Sequence, residues 1–162
     1  MFLALALVLP FLTGQIQQIG NMLCPMHIPV MLCGYFCGPL YGFAVGFAAP
    51  IVRFFVFGMP PLVPLGIPMS LELACYGTVC GLLYKLLPKT KPCIYISLLG
   101  SMLCGRAVWG FGRLVMYGLG KCDFSMAAFI AGAFTTALPG IALQLLVIPL
   151  LVMILNKYTD KR

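Results

Sequence analysis

Residues 93–119 read CIYISLLGSMLCGRAVWGFGRLVMYGL. An uninterrupted helix over them is ~40 Å long at 1.5 Å per residue, more than the ~30 Å hydrocarbon core of a bilayer. Only Arg106 and Arg113 carry charge in this run. The stretch reads as a membrane span, and the regions around it read the same way. No Asp, Glu, Lys or Arg occurs from Met1 to Val52 or from Phe124 to Asn156. Over 162 residues the chain is 62% hydrophobic and 8% charged, against about 25% charged in soluble domains. These numbers exclude an ordinary soluble domain and define an all-α, polytopic membrane protein. No polar linker interrupts it, so residues 1–162 are expected to form a single integral membrane domain.

Proline, glycine and polar clusters divide the chain into six expected spans: 1–13, 28–37, 41–57, 65–86, 93–118 and 124–156. Pro139 and Pro149 are expected to kink the last one. The first is short, because the nine residues before Pro10 make only ~14 Å of helix. That length points to a start that is truncated or misassigned. The segment has no basic n-region and no small-residue cleavage site, so it is not read as a cleaved signal peptide.

The net charge of +7 follows from the positive-inside rule, without a nucleic-acid partner. Lys85, Lys89 and Lys91 share one loop, and Lys157, Lys161 and Arg162 share the tail. Six spans put these two groups on the same side. The N-terminus, the turn at 38–40, the 85–92 loop and the C-terminus are then cytoplasmic in a cell-membrane protein. Loops 14–27, 58–64 and 119–123 are external. Gly34, Gly38, Gly42 and Gly46 recur every four residues, a spacing that lets helices approach closely and is expected to pack the second span on the third. The eight cysteines include no C-x-x-C pair and read as small buried hydrophobes, not as a disulfide or metal set.

Charges at membrane depth cost roughly 2.5–3.5 kcal/mol each on insertion scales and call for a partner. Counting from the external loops at ~1.5 Å per residue puts Arg53 ~8 Å, Glu72 ~12 Å and Arg113 ~9 Å deep, with Arg106 two turns further in. Glu72 is expected to pair with an arginine, and Arg53 enters the loop that Glu72 leaves. One glutamate does not neutralise three arginines, so at least one guanidinium is left for a lipid headgroup, water or an anionic ligand. Its planar fork suits a carboxylate or phosphate. Other groups at this level can complete a binding site. Gln15, Gln17, Gln18 and Asn21 lie in the first loop, Trp109 and Tyr76 offer an apolar wall, and Gln144 is the one amide in the interior of the last span. His27, between Pro25 and Pro29, suits a structural or ligand-contacting role better than metal binding. No triad, H-E-x-x-H motif, acid pair or phosphate loop is present, so the residues imply neither an enzyme nor a cofactor.

Four stretches are more specific: Leu9-Pro10-Phe11-Leu12-Thr13-Gly14-Gln15, Pro25-Met26-His27-Ile28-Pro29-Val30, Phe57-Gly58-Met59-Pro60-Pro61, and Gly105-Arg106 with Trp109-Gly110. Together they resemble the substrate-binding S component of energy-coupling factor (ECF) transporters over nearly the whole chain, closest to the branch associated with pantothenate. The resemblance implies a six-helix protein that takes up a vitamin at its external face. It also implies docking on a transmembrane coupling subunit served by two ATPases, with loops 14–27 and 58–64 closing over the ligand. The substrate carboxylate would face Arg106 or Arg113 first and Arg53 second, with its hydroxyls and amide near the glutamines and Glu72. A pyridoxine-like vitamin would anchor on Glu72 instead, and a non-transporting scaffold would use the charges only to pair helices. Two departures stand out. Ala4 would be the second of two small docking residues whose first falls before Met1, and Gln17 stands where a proline is expected.

Overall fold

The computed structural model describes residues 1–12, 25–58, 61–88, 90–120 and 138–159. Among them are six α-helices: α1 (Phe2–Leu12), α2 (His27–Cys37), α3 (Pro39–Phe57), α4 (Ile67–Leu86), α5 (Lys91–Gly118) and α6 (Leu138–Thr159). Four of these, α3 to α6, are long and apolar enough to cross a membrane, while α1 and α2 are shorter apolar helices. The expected kink site Pro149 lies inside α6. The part of the sixth expected span before Leu138 lies outside the described residues.

The chain reverses where its residues dictate. Gly38 adopts φ 93° between α2 and α3, in a region that L side chains avoid, and Pro39 opens α3 with its preset φ. Gly58 closes α3 at φ 68°, with its N–H bonded to the Phe54 carbonyl. A short helical segment, Leu62–Gly66, broken at the extended Val63, leads into α4.

Helix α4 is the hub. Its buried residues, among them Pro68, Glu72, Leu73, Tyr76, Gly77, Cys80, Gly81 and Tyr84, cover most of its circumference and leave Ile67, Leu71 and Leu82 exposed, and α2, α3 and α5 all pack on it. Backbone contact sets the register. A methyl group added at Gly34 or Gly42 would overlap Gly77, one at Gly46 would overlap Leu73, and one at Gly81 would meet the Gly34 carbonyl at 2.7 Å. In lipid, where apolar burial drives little helix association, such close approach is the main source of packing energy. The glycine stripe therefore holds α2 and α3 chiefly on α4, a correction to the expected α2–α3 seam. Those two also touch each other, since a methyl at Gly42 would stand 3.0 Å from the Gly34 Cα.

The half of the bundle near Gly38 contains a satisfied polar knot. The hydroxyls of Tyr35 and Ser97 lie 2.8 Å apart and 3.0 and 2.9 Å from the Ile94 carbonyl, so one proton bridges the two hydroxyls and the other goes to the carbonyl. Tyr84 packs edge-on against Tyr35. Of the described cysteines, Cys33, Cys80 and Cys93 are buried and Cys75 is half-buried, as expected. Cys37 and Cys104 depart from the expectation. They are exposed because they fall on the outer faces of α2 and α5.

Candidate functional site

Helices α3 and α4 run antiparallel, with Gly42 against Gly77 and Gly46 against Leu73. Helices α4 and α5 do the same, with Gly105 against Tyr76 and Gly112 against Pro68. These registers bring four ionisable groups into the same half of the bundle, at the end opposite Gly38.

Glu72 lies at the centre, 3% exposed. Three groups converge on its Oε1. Arg106 Nη1 of α5 donates from 3.1 Å, the Tyr76 hydroxyl donates from 3.0 Å, and His27 Nε2 of α2 stands 3.7 Å away. Glu72 and Tyr76 share a face because they are one helical turn apart. Gly105 makes room for the phenol, since a methyl there would lie 2.7 Å from Tyr76 Cε1. His27 meets the Tyr76 ring edge-on at 5.1 Å between centroids. Paired with Arg106, the buried carboxylate avoids the several kcal/mol that an isolated ion would cost.

Two further arginines stand nearer the helix ends. Arg53 continues the stripe Gly42, Gly46, Ala49 and Pro50, the buried face of α3. Seven residues beyond Gly46, it is level with about Gly66, roughly 9 Å along the axis from Glu72. Its side chain is buried, and Nη1 has no hydrogen-bond partner among the described residues. Arg113, one residue past the Gly112–Pro68 contact, is at a similar level and places its guanidinium carbon 5.8 Å from the Trp109 ring centroid.

Of the three arginines that could pair with Glu72, Arg106 holds it, at 3.1 Å, and Arg53 does not. Sharing a loop does not make Glu72 and Arg53 neighbours, because helix phase sets Arg53 a turn and a half further out. The structure brings together Glu72, Tyr76, Arg106 and His27, and places Arg53 and Arg113 nearer the helix ends, with Trp109 beside Arg113. Gln144 is buried in α6. Gln15, Gln17, Gln18 and Asn21 lie outside the described residues. Sequence reasoning missed the role of Gly105, whose signal is its four-residue offset from Trp109, on the face that carries Arg106.

Both ring nitrogens of His27 are also buried without a hydrogen bond. Among the described residues three guanidiniums and one carboxylate lie at this end, and three buried nitrogens, Nη1 of Arg53 and both of His27, make no hydrogen bond. Such an arrangement can hold a small molecule that brings negative charge and hydrogen-bonding groups.

Comparison with known proteins identifies the lineage. The family model of the ECF transporter substrate-specific component matches residues 1–152, so the chain belongs to that family. It is a substrate-specific subunit of an ECF transporter. No curated protein and no solved structure matches it.

Proposed function

We propose that this ECF transporter substrate-specific component captures a carboxylate-bearing vitamin, pantothenate, at the end of the bundle that carries Arg53 and Arg113. The substrate carboxylate meets Arg53, seconded by Arg113. Its hydroxyl-bearing end reaches inward to His27, Tyr76 and the Glu72–Arg106 pair. In this reading the site opens to the outside of the cell membrane, with both termini cytoplasmic. The loaded protein docks on a transmembrane coupling subunit whose two ATPases power release.

The observation that carries this reading is the buried, unpartnered Nη1 of Arg53, ~9 Å along the helix axis from an ion pair that already neutralises Glu72. A cation left beside a neutralised pair selects an anion, and the separation suits an elongated molecule with its charge at one end. The sequence placed Arg106 or Arg113 first as the carboxylate partner. The engagement of Arg106 with Glu72 moves Arg53 ahead of both.

A thermal-shift screen of the detergent-solubilised protein against the water-soluble vitamins tests the proposal. Saturation at a hundredfold over Kd adds about 2.7 kcal/mol to stability, so pantothenate should raise the melting temperature clearly and Arg53→Ala should erase the shift. Stabilisation by a pyridoxine-like compound alone would transfer the anchor to Glu72. Stabilisation by no vitamin would leave the charges as helix-pairing devices.

A further inference from the structure

We propose that His27 determines specificity at this site: its Nε2 carries the proton toward Glu72, and its Nδ1 is a bare acceptor that only a hydroxyl or N–H of the substrate fills. The proposal rests on the reading of this cluster as the vitamin site. It adds a requirement that the reading lacks, namely that the transported compound presents a hydrogen-bond donor at the inner end.

The tautomer follows from what surrounds the ring. Glu72 Oε1 accepts hydrogen bonds from both Arg106 and Tyr76, so that oxygen presents lone pairs and no proton toward His27. His27 Nε2 lies 3.7 Å from Oε1 of that carboxylate, too far for a hydrogen bond yet within reach of a small closing movement. A lone pair on Nε2 would face the lone pairs of Oε1, whereas an N–H there is attracted. With the proton on Nε2, a neutral imidazole leaves Nδ1 as an acceptor. The Tyr76 hydroxyl is already committed to Glu72, and no other described residue donates to Nδ1, which is buried and unbonded. A carbonyl or ether oxygen placed there would meet a lone pair; a hydroxyl or amide N–H would close the network.

The chain contains one histidine, so histidine-selective 15N labelling of the full-length protein gives a single imidazole. Its spectrum without ligand should show the Nε2–H tautomer, and saturating pantothenate should shift the Nδ1 resonance toward hydrogen-bonded values. Affinity supplies the second arm. His27→Leu should weaken pantothenate binding roughly 5- to 150-fold, the 1–3 kcal/mol of a lost buried partner converted at 1.4 kcal/mol per decade. His27→Gln, which keeps an acceptor, should restore part of it. Pantothenate with its hydroxyls methylated should lose affinity for the native protein and lose little more for His27→Leu. If the screen selects pyridoxine, that compound and its O-methyl ethers serve as the probe pair.

An Nδ1–H tautomer or an imidazolium would overturn the proposal, as would equal penalties for the methylated analogue in both proteins. Vitamin binding unaffected by His27→Leu overturns this inference alone. Failure of every vitamin to bind overturns the site reading and this inference with it.

Discussion

The two halves of this bundle handle buried polarity in opposite ways. Near Gly38, helices meet backbone to backbone through Gly34, Gly42, Gly77 and Gly81, and the buried hydroxyls of Tyr35 and Ser97 satisfy each other and a carbonyl. At the other end, Glu72 and Arg106 pair, but His27 and Arg53 keep buried nitrogens without hydrogen bonds. One half is closed chemistry and the other is open. Ionisable groups at membrane depth persist where packing fixes the helices and where a partner group, a water-filled cavity or a ligand meets the charge. The glycine junction supplies the first condition, and in the proposed reading a ligand supplies the second.

The comparison breaks most severely at Gly77. Its Cβ position overlaps Gly42, and Gly34 and Gly42 both point at its backbone. Gly77→Leu should therefore separate two helices from α4 at once, beyond the 1–3 kcal/mol typical of overpacking. Size-exclusion chromatography of the solubilised variant should show no folded monomer. A monodisperse variant of native melting temperature would mean that the junction is not what holds the site.

The next largest effect is at Glu72. Glu72→Gln leaves Arg106 without its counter-charge, and breaking a buried pair costs about 3–5 kcal/mol. Unlike Gly77→Leu, it should be partly rescued by a second change, Arg106→Gln, because two neutral amides can bond each other. Melting temperatures of the single and double variants measure this coupling. Neither variant should bind ligand as the native protein does.

How much of this contrast was legible in the sequence depended on the physics involved. Hydropathy marked four charged residues as out of place, and three of them, Arg53, Glu72 and Arg106, do lie buried or nearly so. The expected spans 41–57 and 93–118 fall within two residues of α3 and α5, because proline, glycine and lysine punctuate their ends. The partners were not legible. Arg53 and Glu72 flank one loop, yet Arg106, from a distant helix, takes the carboxylate, since pairing depends on helix phase and inter-helix register. The same limit misled the glycine stripe. Its spacing announced close packing, but the reciprocal Gly77 and Gly81, also four residues apart, named α4 as the partner and went unused. The loop amides Gln15, Gln18 and Asn21 lie outside the described residues.

Arg53 sharpens the contrast by separating stability from binding. Its Nη1 has no hydrogen bond to lose, so Arg53→Gln should leave the melting temperature of the ligand-free protein unchanged or slightly raised. Ligand affinity should drop about 10- to 150-fold, the 1.5–3 kcal/mol of a hydrogen bond to a charged group. Titration calorimetry beside thermal unfolding resolves the two quantities. A large loss of stability with unchanged affinity would make Arg53 a packing residue.

The smallest effects come from the two buried tyrosines, which place one phenol in each half. Tyr35→Phe removes a hydroxyl whose partners remain bonded to each other, because Ser97 Oγ donates to Ile94 at 2.9 Å. No orphan is created, so the cost should be about 0.5–1.5 kcal/mol with ligand affinity intact. Tyr76→Phe removes the 3.0 Å hydrogen bond to Glu72, and Arg106 still holds the carboxylate. Its effect on stability should be of the same size. Affinity should differ, because the freed Oε1 then draws the His27 N–H closer and shifts the ring away from the position the ligand requires. Equal stability losses with unequal affinities would establish that the two halves differ in function and not merely in composition. Equal affinities in both variants would merge them into one packed core and remove His27 from the site.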